Sequence, residues 1–223
     1  MNKVTKILDN AEMGIPQALS RFNDGEVGIM FNKDFTAARG DQRGSLGLQI
    51  ALIDAIKYEQ ENYWKGFPCP VCMRKQLSQL ESKDLINYEY PYNTCAVVNT
   101  NRNLENFTFG LQEALRHKQI VWVSGDDQDL SPLSFNVVEH IKFYRKNSWD
   151  LYENIKGRCL SVARPNRVFL LSCGPTARVL ARSLFQLRPD CSFLDIGSTY
   201  DNFTRNVWHS CHNGTLKKCS YCN

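Results

Sequence analysis

The sequence lacks any apolar stretch long enough to cross a membrane as a helix. Such a span needs about 20 predominantly apolar residues, and charged or polar residues interrupt the 223-residue chain well before that length. Residues 1–10 also lack the apolar segment of a secretory signal. We therefore expect a cytoplasmic protein without a membrane span.

A strong excess of one charge is missing too. The formal net charge is only +4, and no basic run or basic–aromatic stripe occurs. We therefore expect no nucleic-acid partner, and a small anionic ligand such as a nucleoside diphosphate suits the charge equally well. No Gly-x-Gly-x-x-Gly segment follows a predicted strand, which argues against a dinucleotide-binding enzyme.

The nine cysteines fit metal ligands or reduced thiols better than a disulfide framework, because their number is odd and no secretory signal is present. Two Cys-x-x-Cys pairs, Cys69/Cys72 and Cys219/Cys222, have the ligand types of a structural tetrahedral zinc site. A disulfide, or free thiols in a frayed tail, would explain the pairs as well. Other zinc-binding residue types near the second pair are alternative partners: His209, Cys211 and His212.

Predicted strands and helices alternate along the chain, which indicates an α/β, Rossmann-like fold with a mainly parallel sheet and helices on both faces. The predicted strands are 27–31, 94–98, 119–124, 137–144, 167–172 and 191–196. The predicted helices are 46–58, 104–117, 149–155 and 176–187. We expect one domain over 1–223, with a Cys-containing insert at 59–93 and a C-terminal tail at 206–223 that a zinc site would join.

The segment Cys173-Gly174-Pro175-Thr176-Ala177 ends a predicted strand and opens a predicted helix. Proline is tolerated in the first turn of a helix, and the free N–H groups there form a natural phosphate site with the helix dipole. Gly174 lets the backbone come close to a ligand. A plain strand-to-helix turn would need the same residues, so both interpretations stay open.

The segment from Asp195 to Asp201 follows the last predicted strand. An aspartate at the end of a buried strand faces the ligand crevice of an open α/β sheet, where Asp195 would hold a hydroxyl group or a proton. Asp201 lies in the following loop and is a second candidate for a catalytic base. Turn formation or helix capping is the alternative role for Asp195.

Asp24-Gly25-Glu26 places two carboxylates around one glycine. Both would reach one hard cation, Mn²⁺ or Mg²⁺, if the backbone turned at Gly25. Arg21 would then pair with phosphate groups of a ligand or with Glu26. A solvated acidic turn is the alternative.

Taken together, these segments resemble the glycosyltransferases of the GT-D fold type, a domain first catalogued as one of unknown function. The resemblance rests on Arg-x-x-Asp-Gly-Glu at 21–26, Asn-x-Trp at 147–149, Gly-Pro-Thr-Ala at 174–177 and Asp-Ile-Gly at 195–197. It spans residues 15–205 in matching order. Each motif is common, but their ordered conjunction is far more specific.

The resemblance implies transfer of a sugar from a nucleotide-sugar donor to a glycan or glycoconjugate acceptor, with a divalent cation that is usually Mn²⁺. That cation would neutralise charge on the leaving nucleoside diphosphate. Asp24 and Glu26 inherit the metal and donor role. The remaining donor-site candidates are Arg21, Asn147, Gly174, Pro175, Thr176, Ala177, Gly197 and Ser198. Some relatives have histidine where this chain has Ser198, so no imidazole role carries over.

An alternative function uses the cysteines. A module containing a zinc ribbon would bind nucleic acid or another protein through the Cys-x-x-Cys pairs and the net positive charge. This alternative would not account for the predicted α/β core. Salt-sensitive binding to DNA or RNA would favour it.

Overall fold

The computed structural model describes residues 3–37, 42–71, 73–95 and 101–206. Its strands are β1 (Ala18–Arg21), β2 (Thr36–Ala37), β3 (Gln42–Arg43), β4 (Tyr63–Phe67), β5 (Asn93–Cys95), β6 (Ile120–Gly125), β7 (Val137–Phe143), β8 (Val168–Ser172) and β9 (Ser192–Asp195). Its helices are α1 (Lys3–Met13), α2 (Asp24–Phe31), α3 (Leu46–Lys57), α4 (Arg74–Glu81), α5 (Asn101–Ala114), α6 (Tyr152–Val162), α7 (Thr176–Leu187) and α8 (Asp201–Thr204), and a 3-10 turn covers Ser148–Leu151.

Seven of the strands form one sheet in the order β5-β4-β1-β9-β8-β6-β7, and each neighbouring pair is parallel. Strands β2 and β3 form a separate antiparallel ribbon. Because the seven strands run in one direction, their carboxyl ends meet at a single edge. That edge is where ligands bind in open α/β sheets.

Successive strand residues supply two different hydrophobic cores, because side chains alternate between the faces of a sheet. Ala18 and Phe169 join the core that contains residues of α6 and α7. Leu19 and Leu170 join the opposite core, which contains residues of α1 and α5. The strands are therefore covered by helices on both faces, and the α/β class with a parallel sheet is confirmed.

The strand predicted at Val27–Phe31 is wrong, since these residues belong to α2. A run of five apolar or small residues has no period that separates strand from helix. The better signal was Asn23 followed three residues later by Glu26, the spacing of a capping box at a helix start. Strand β1 was missed, so the acidic triplet follows the first core strand instead of preceding it.

Residues 59–93, expected as an insert, contribute β4 and α4, and β4 pairs with β1 inside the main sheet. All five residues of β4 are buried. A strand buried on both faces shows no alternation of polar and apolar residues, which explains why no strand is predicted in this segment. Of the predicted tail, residues 207–223 lie outside the described residues.

Most of the other predicted elements are confirmed with small shifts at their ends. Helices 46–58 and 176–187 correspond to α3 and α7, and the strands at 119–124, 137–144, 167–172 and 191–196 correspond to β6, β7, β8 and β9. The helix expected at 149–155 begins as the 3-10 turn, and the one at 104–117 is α5. No helix in the described part of the chain is both long and apolar enough to cross a membrane.

The start of α3 gives a direct test of the local sequence argument. Ser45 caps this helix, and its hydroxyl accepts a hydrogen bond from the Leu48 N–H at 3.2 Å. We expect Ser45→Ala to lower the free energy of unfolding by about 1 kcal/mol in urea titrations, and Ser45→Asn to keep most of it. Equal losses in the two variants would contradict the capping role.

Candidate functional site

A cleft of about 670 Å³ opens at the carboxyl edge of the sheet. Its floor includes Arg21 at the end of β1 and Ser172 at the end of β8. The ribbon supplies one wall through Thr36, Ala37 and Gln42. Residues that follow β7 and α8, Arg145 and Arg205 among them, also line it.

Two helices begin at this cleft. Asn23, Asp24 and Gly25 at the start of α2 line it, and so do Gly174 and Pro175 at the start of α7. The start of a helix has unpaired N–H groups and the positive end of the helix dipole. Two such ends facing one space favour a bound anion with more than one negative group.

A buried ion pair anchors the cleft floor. Arg21 and Asp195 end the neighbouring strands β1 and β9, and both side chains are 0% exposed. The Arg21 Nη2 atom lies 3.1 Å from Asp195 Oδ1, and the Arg21 backbone N–H donates to Asp195 Oδ2 at 3.1 Å. The N–H of Gly197 donates to Asp195 Oδ1 at 3.0 Å. Asp195 therefore organises the floor, and it does not line the cleft.

Arg178 extends the pair into a network of four charges. Its Nε atom lies 3.1 Å from Asp195 Oδ2 and donates to the Arg21 carbonyl at 2.5 Å. Its Nη2 atom lies 3.3 Å from Glu26 Oε1, and its Nη1 donates to the Gly174 carbonyl at 2.6 Å. The Arg178 guanidinium thus contacts β1, β9 and the starts of both cleft helices.

Burial dominates the electrostatics of this network. It lowers the pKa of Arg21, and the nearby Asp195 carboxylate opposes that change. It raises the pKa of Glu26, and the nearby Arg178 guanidinium opposes that change. Removing one partner of a buried pair leaves an uncompensated charge, which typically destabilises a protein by about 3–5 kcal/mol.

The two carboxylates of the acidic triplet have different surroundings. Glu26 is buried, and its Oε2 atom accepts the Asn23 N–H at 2.9 Å while Oε1 faces Arg178. Asp24 is exposed at the cleft, and among the described residues its carboxylate has no hydrogen-bond or ion-pair partner. Residues two apart on a helix do not face each other. The turn at Gly25 that would bring both onto one cation is absent, because Gly25 lies in α2.

Charge pairing within the cleft also singles out Asp24. The four lining arginines face four carboxylates: Arg21 with Asp195, Arg178 with Glu26 and Asp195, Arg145 with Asp127, and Arg205 with Asp127 and Asp201. A diphosphate would therefore find the guanidinium groups already paired. A divalent cation at Asp24 fits this arrangement, since Mg²⁺ and Mn²⁺ are commonly held by one or two carboxylates together with ligand phosphates.

Asp201, expected in a loop, is the first residue of α8 and lines the cleft. Its Oδ2 atom lies 3.3 Å from the Nη1 atom of Arg205, and Gln128 donates to Oδ1 at 3.4 Å. Gln128 is itself fixed by a hydrogen bond from Trp122 at 2.7 Å. The carboxylate is therefore held in one orientation at the cleft surface.

Three residues that were expected to contact the sugar donor contact other parts of the protein instead. The Asn147 side chain accepts the Arg43 N–H at 3.0 Å and so supports the ribbon. The Thr176 hydroxyl bonds to Ser148 at 2.8 Å, and Ala177 is fully buried. None of the three lines the cleft, whereas the other expected donor-site residues do: Arg21, Gly174, Pro175, Gly197 and Ser198.

The predicted zinc site lies mostly outside the described residues, because Cys72, Cys219 and Cys222 are not among them. Cys69 is buried between β4 and α4. Within the described ranges, no group of three or more His, Cys, Asp or Glu side chains could hold a metal ion. The zinc site stays a prediction.

Sequence reasoning missed the arginines Arg178, Arg145 and Arg205. Arg178 had a detectable signal: a basic residue in the first turn of a helix is unfavourable with the dipole, which implies a carboxylate partner. Arg145 and Arg205 had none, because their partner Asp127 follows a different strand.

Three glycines give a graded test of the floor geometry. Gly197 has φ +46°, and an added Cβ would lie 2.0 Å from Arg21 Nη2. Gly174 has φ +54° with open space around it, and Gly157 in α6 has open space without that backbone strain. We expect Gly197→Ala to lower the free energy of unfolding by more than about 2 kcal/mol and Gly174→Ala by about 1 kcal/mol. Gly157→Ala should raise it by about 0.5–1 kcal/mol.

Denaturant titrations of the three variants check this order. A loss for Gly197→Ala no larger than for Gly174→Ala would contradict the close approach of Arg21 to the floor.

No protein-family model matches the chain, and no curated protein does. Solved structures do match it. One is described as a selenomethionine-substituted structure of domain of unknown function 1792, with a TM-score of 0.69 and 19% identity over 90% of this chain and 79% of that one. A second is described as this domain having a distinct glycosyltransferase fold, with a TM-score of 0.68, 19% identity and the same coverage.

A third is described as a new glycosyltransferase of this kind from Streptococcus sanguinis. Its TM-score is 0.69, with 20% identity over 90% of this chain and 82% of that one. The chain therefore has the same α/β fold as these structures, a fold described for that domain as a distinct glycosyltransferase fold.

Proposed function

We propose that the protein is a glycosyltransferase that uses a nucleoside-diphosphate sugar as donor and a glycan or glycoconjugate as acceptor. The observation that carries the proposal is the pair of helix starts, α2 and α7, that line one cleft at the carboxyl edge of the sheet. The likeness to structures described as having a glycosyltransferase fold supports the same conclusion.

The donor diphosphate binds between the two helix starts. Free N–H groups and the helix dipoles favour phosphate oxygens there. Gly174 has a positive φ and open space where a side chain would be, so a phosphate can approach the backbone. Arg178 donates to the Gly174 carbonyl and so fixes this turn at the start of α7.

Asp24 would hold the divalent cation, Mn²⁺ or Mg²⁺, together with the donor phosphates. The cation would neutralise charge on the leaving nucleoside diphosphate. Glu26 acts as a positioning residue: it fixes the start of α2 through the Asn23 N–H and is held by Arg178.

Asp201 is the general base that accepts the proton of the acceptor hydroxyl. It lines the cleft, and Gln128 and Arg205 fix its carboxylate. Asp195, the other candidate, has no exposed surface, already accepts hydrogen bonds from Arg21 and Gly197, and forms an ion pair with Arg178. It acts as the counter-ion that shapes the floor.

Ligand-induced stabilisation tests the donor and cation sites together. We expect a nucleoside-diphosphate sugar to raise the melting temperature by about 5–10 °C at a concentration near 100 Kd, only when Mn²⁺ or Mg²⁺ is present. Asp24→Asn should abolish the cation-dependent part, because the variant loses the cation ligand. Asp54→Asn, which removes an exposed carboxylate of α3, should leave it intact.

An equal shift with and without the cation, or an unchanged shift in Asp24→Asn, would contradict the cation site. No shift with any nucleotide sugar across a panel of bases and sugars would contradict the proposed function itself.

A second prediction concerns Asp201. We expect Asp201→Asn to lower kcat by about 10²–10⁴-fold, since the variant has no base for the acceptor hydroxyl. Donor affinity, measured by calorimetry, should change little because the diphosphate lies at the helix starts. A variant that keeps full turnover, or that loses donor affinity in proportion to turnover, would contradict the assignment.

A further inference from the structure

Two arginines converge on one carboxylate at the end of the cleft away from β1. Arg145 follows β7 and Arg205 follows α8, and both line the cleft. The Arg145 Nη1 atom lies 2.9 Å from Asp127 Oδ2, and the Arg205 Nε atom lies 3.3 Å from the same oxygen. Strands β9, β8 and β6 separate β7 from β1 in the sheet, so this cluster is distinct from the start of α2.

Asp127 lies near Arg205 but does not accept a hydrogen bond from its Nε–H. The Arg205 side chain is 8% exposed, and within the described part of the chain its Nε–H is buried without a hydrogen-bond partner. The Asp127 side chain is 41% exposed and so keeps much of its hydration. A buried donor that lacks an acceptor is unfavourable, and Arg205 is therefore better suited to a stronger acceptor than Asp127 in this position.

The backbone is shaped to hold Arg145 there. A Cβ on Gly125 would lie 2.9 Å from the Cβ atom of Arg145, so glycine at the end of β6 makes room for the arginine stem. The Asp126 N–H donates to the Phe143 carbonyl at 2.9 Å and joins the ends of β6 and β7. The position of Arg145 follows from these strand ends.

We propose that Arg145 and Arg205 form a subsite for an oxyanion of the acceptor, a phosphate or a carboxylate group. Asp127 occupies the subsite in the free protein as an internal competitor, and the acceptor displaces it. Guanidinium groups bind phosphate and carboxylate through paired hydrogen bonds. The assignment to the acceptor rests on the proposed function, in which the donor diphosphate lies at the helix starts.

Calorimetric titration of the full chain with inorganic phosphate tests the subsite without nucleotide or cation. We expect Asp127→Asn to bind phosphate about tenfold more tightly than the wild type, because the competing charge is gone. Arg145→Gln should bind it about tenfold more weakly. Matched controls are Asp126→Asn and Lys146→Gln, which remove the same charges from exposed neighbours that do not line the cleft.

Unchanged or weaker phosphate binding in Asp127→Asn would overturn the proposal, because a merely structural Asp127 predicts that result. Equal effects in the two controls would overturn it as well. The same titration with glucuronate distinguishes a phosphate from a carboxylate as the acceptor group. Phosphate binding that is tighter than glucuronate binding indicates a phosphorylated acceptor, and the reverse order indicates an acidic sugar. These outcomes do not depend on Mn²⁺ or Asp24. Failure of the subsite in this titration is therefore distinguishable from failure of the proposed function, which the melting-temperature shifts with nucleotide sugars test.

Discussion

The ion pair between Arg21 and Asp195 is the constraint on which the cleft depends. Both groups are fully buried at the ends of adjacent strands, so neither charge is solvated and each requires the other. The Asp195 carboxylate also accepts the Arg21 and Gly197 N–H groups. Arg178 then joins the pair to Glu26. The starts of α2 and α7 are thereby fixed to the same floor.

The ion pairs of the cleft also bear on how a cleft lined by four arginines would select its ligand. Each lining arginine faces a carboxylate, so in the proposed function a diphosphate would be recognised by the helix starts and by a cation at Asp24, which has no partner among the described residues. Glu26 fixes the start of α2 through the Asn23 N–H. In the proposed function, Asp24 would therefore contact the ligand, whereas Glu26 would hold the helix start in place.

Much of the fold and the position of the cleft followed from the sequence. Gly174 and Gly197 were placed at the ends of strands, and parallel strands bring such ends together. The roles of Asp195 and Asn147 could not be predicted, because their partners Arg21 and Arg43 are distant in the chain. The helix at 27–31 was missed for a local reason. A short apolar run has no period that separates helix from strand, and the helix signal lay just before it, in the cap at Asn23.

The position of a bound cation distinguishes a ligand role for Asp24 from one for Glu26. Crystals grown with Mn²⁺ and a nucleoside diphosphate would locate it by anomalous scattering. We expect a peak at coordinating distance from the Asp24 carboxylate and from oxygens of both phosphates, with the Arg178–Glu26 contact intact. A peak bound to Glu26 with Arg178 displaced, or a diphosphate bound away from the two helix starts, would contradict this expectation.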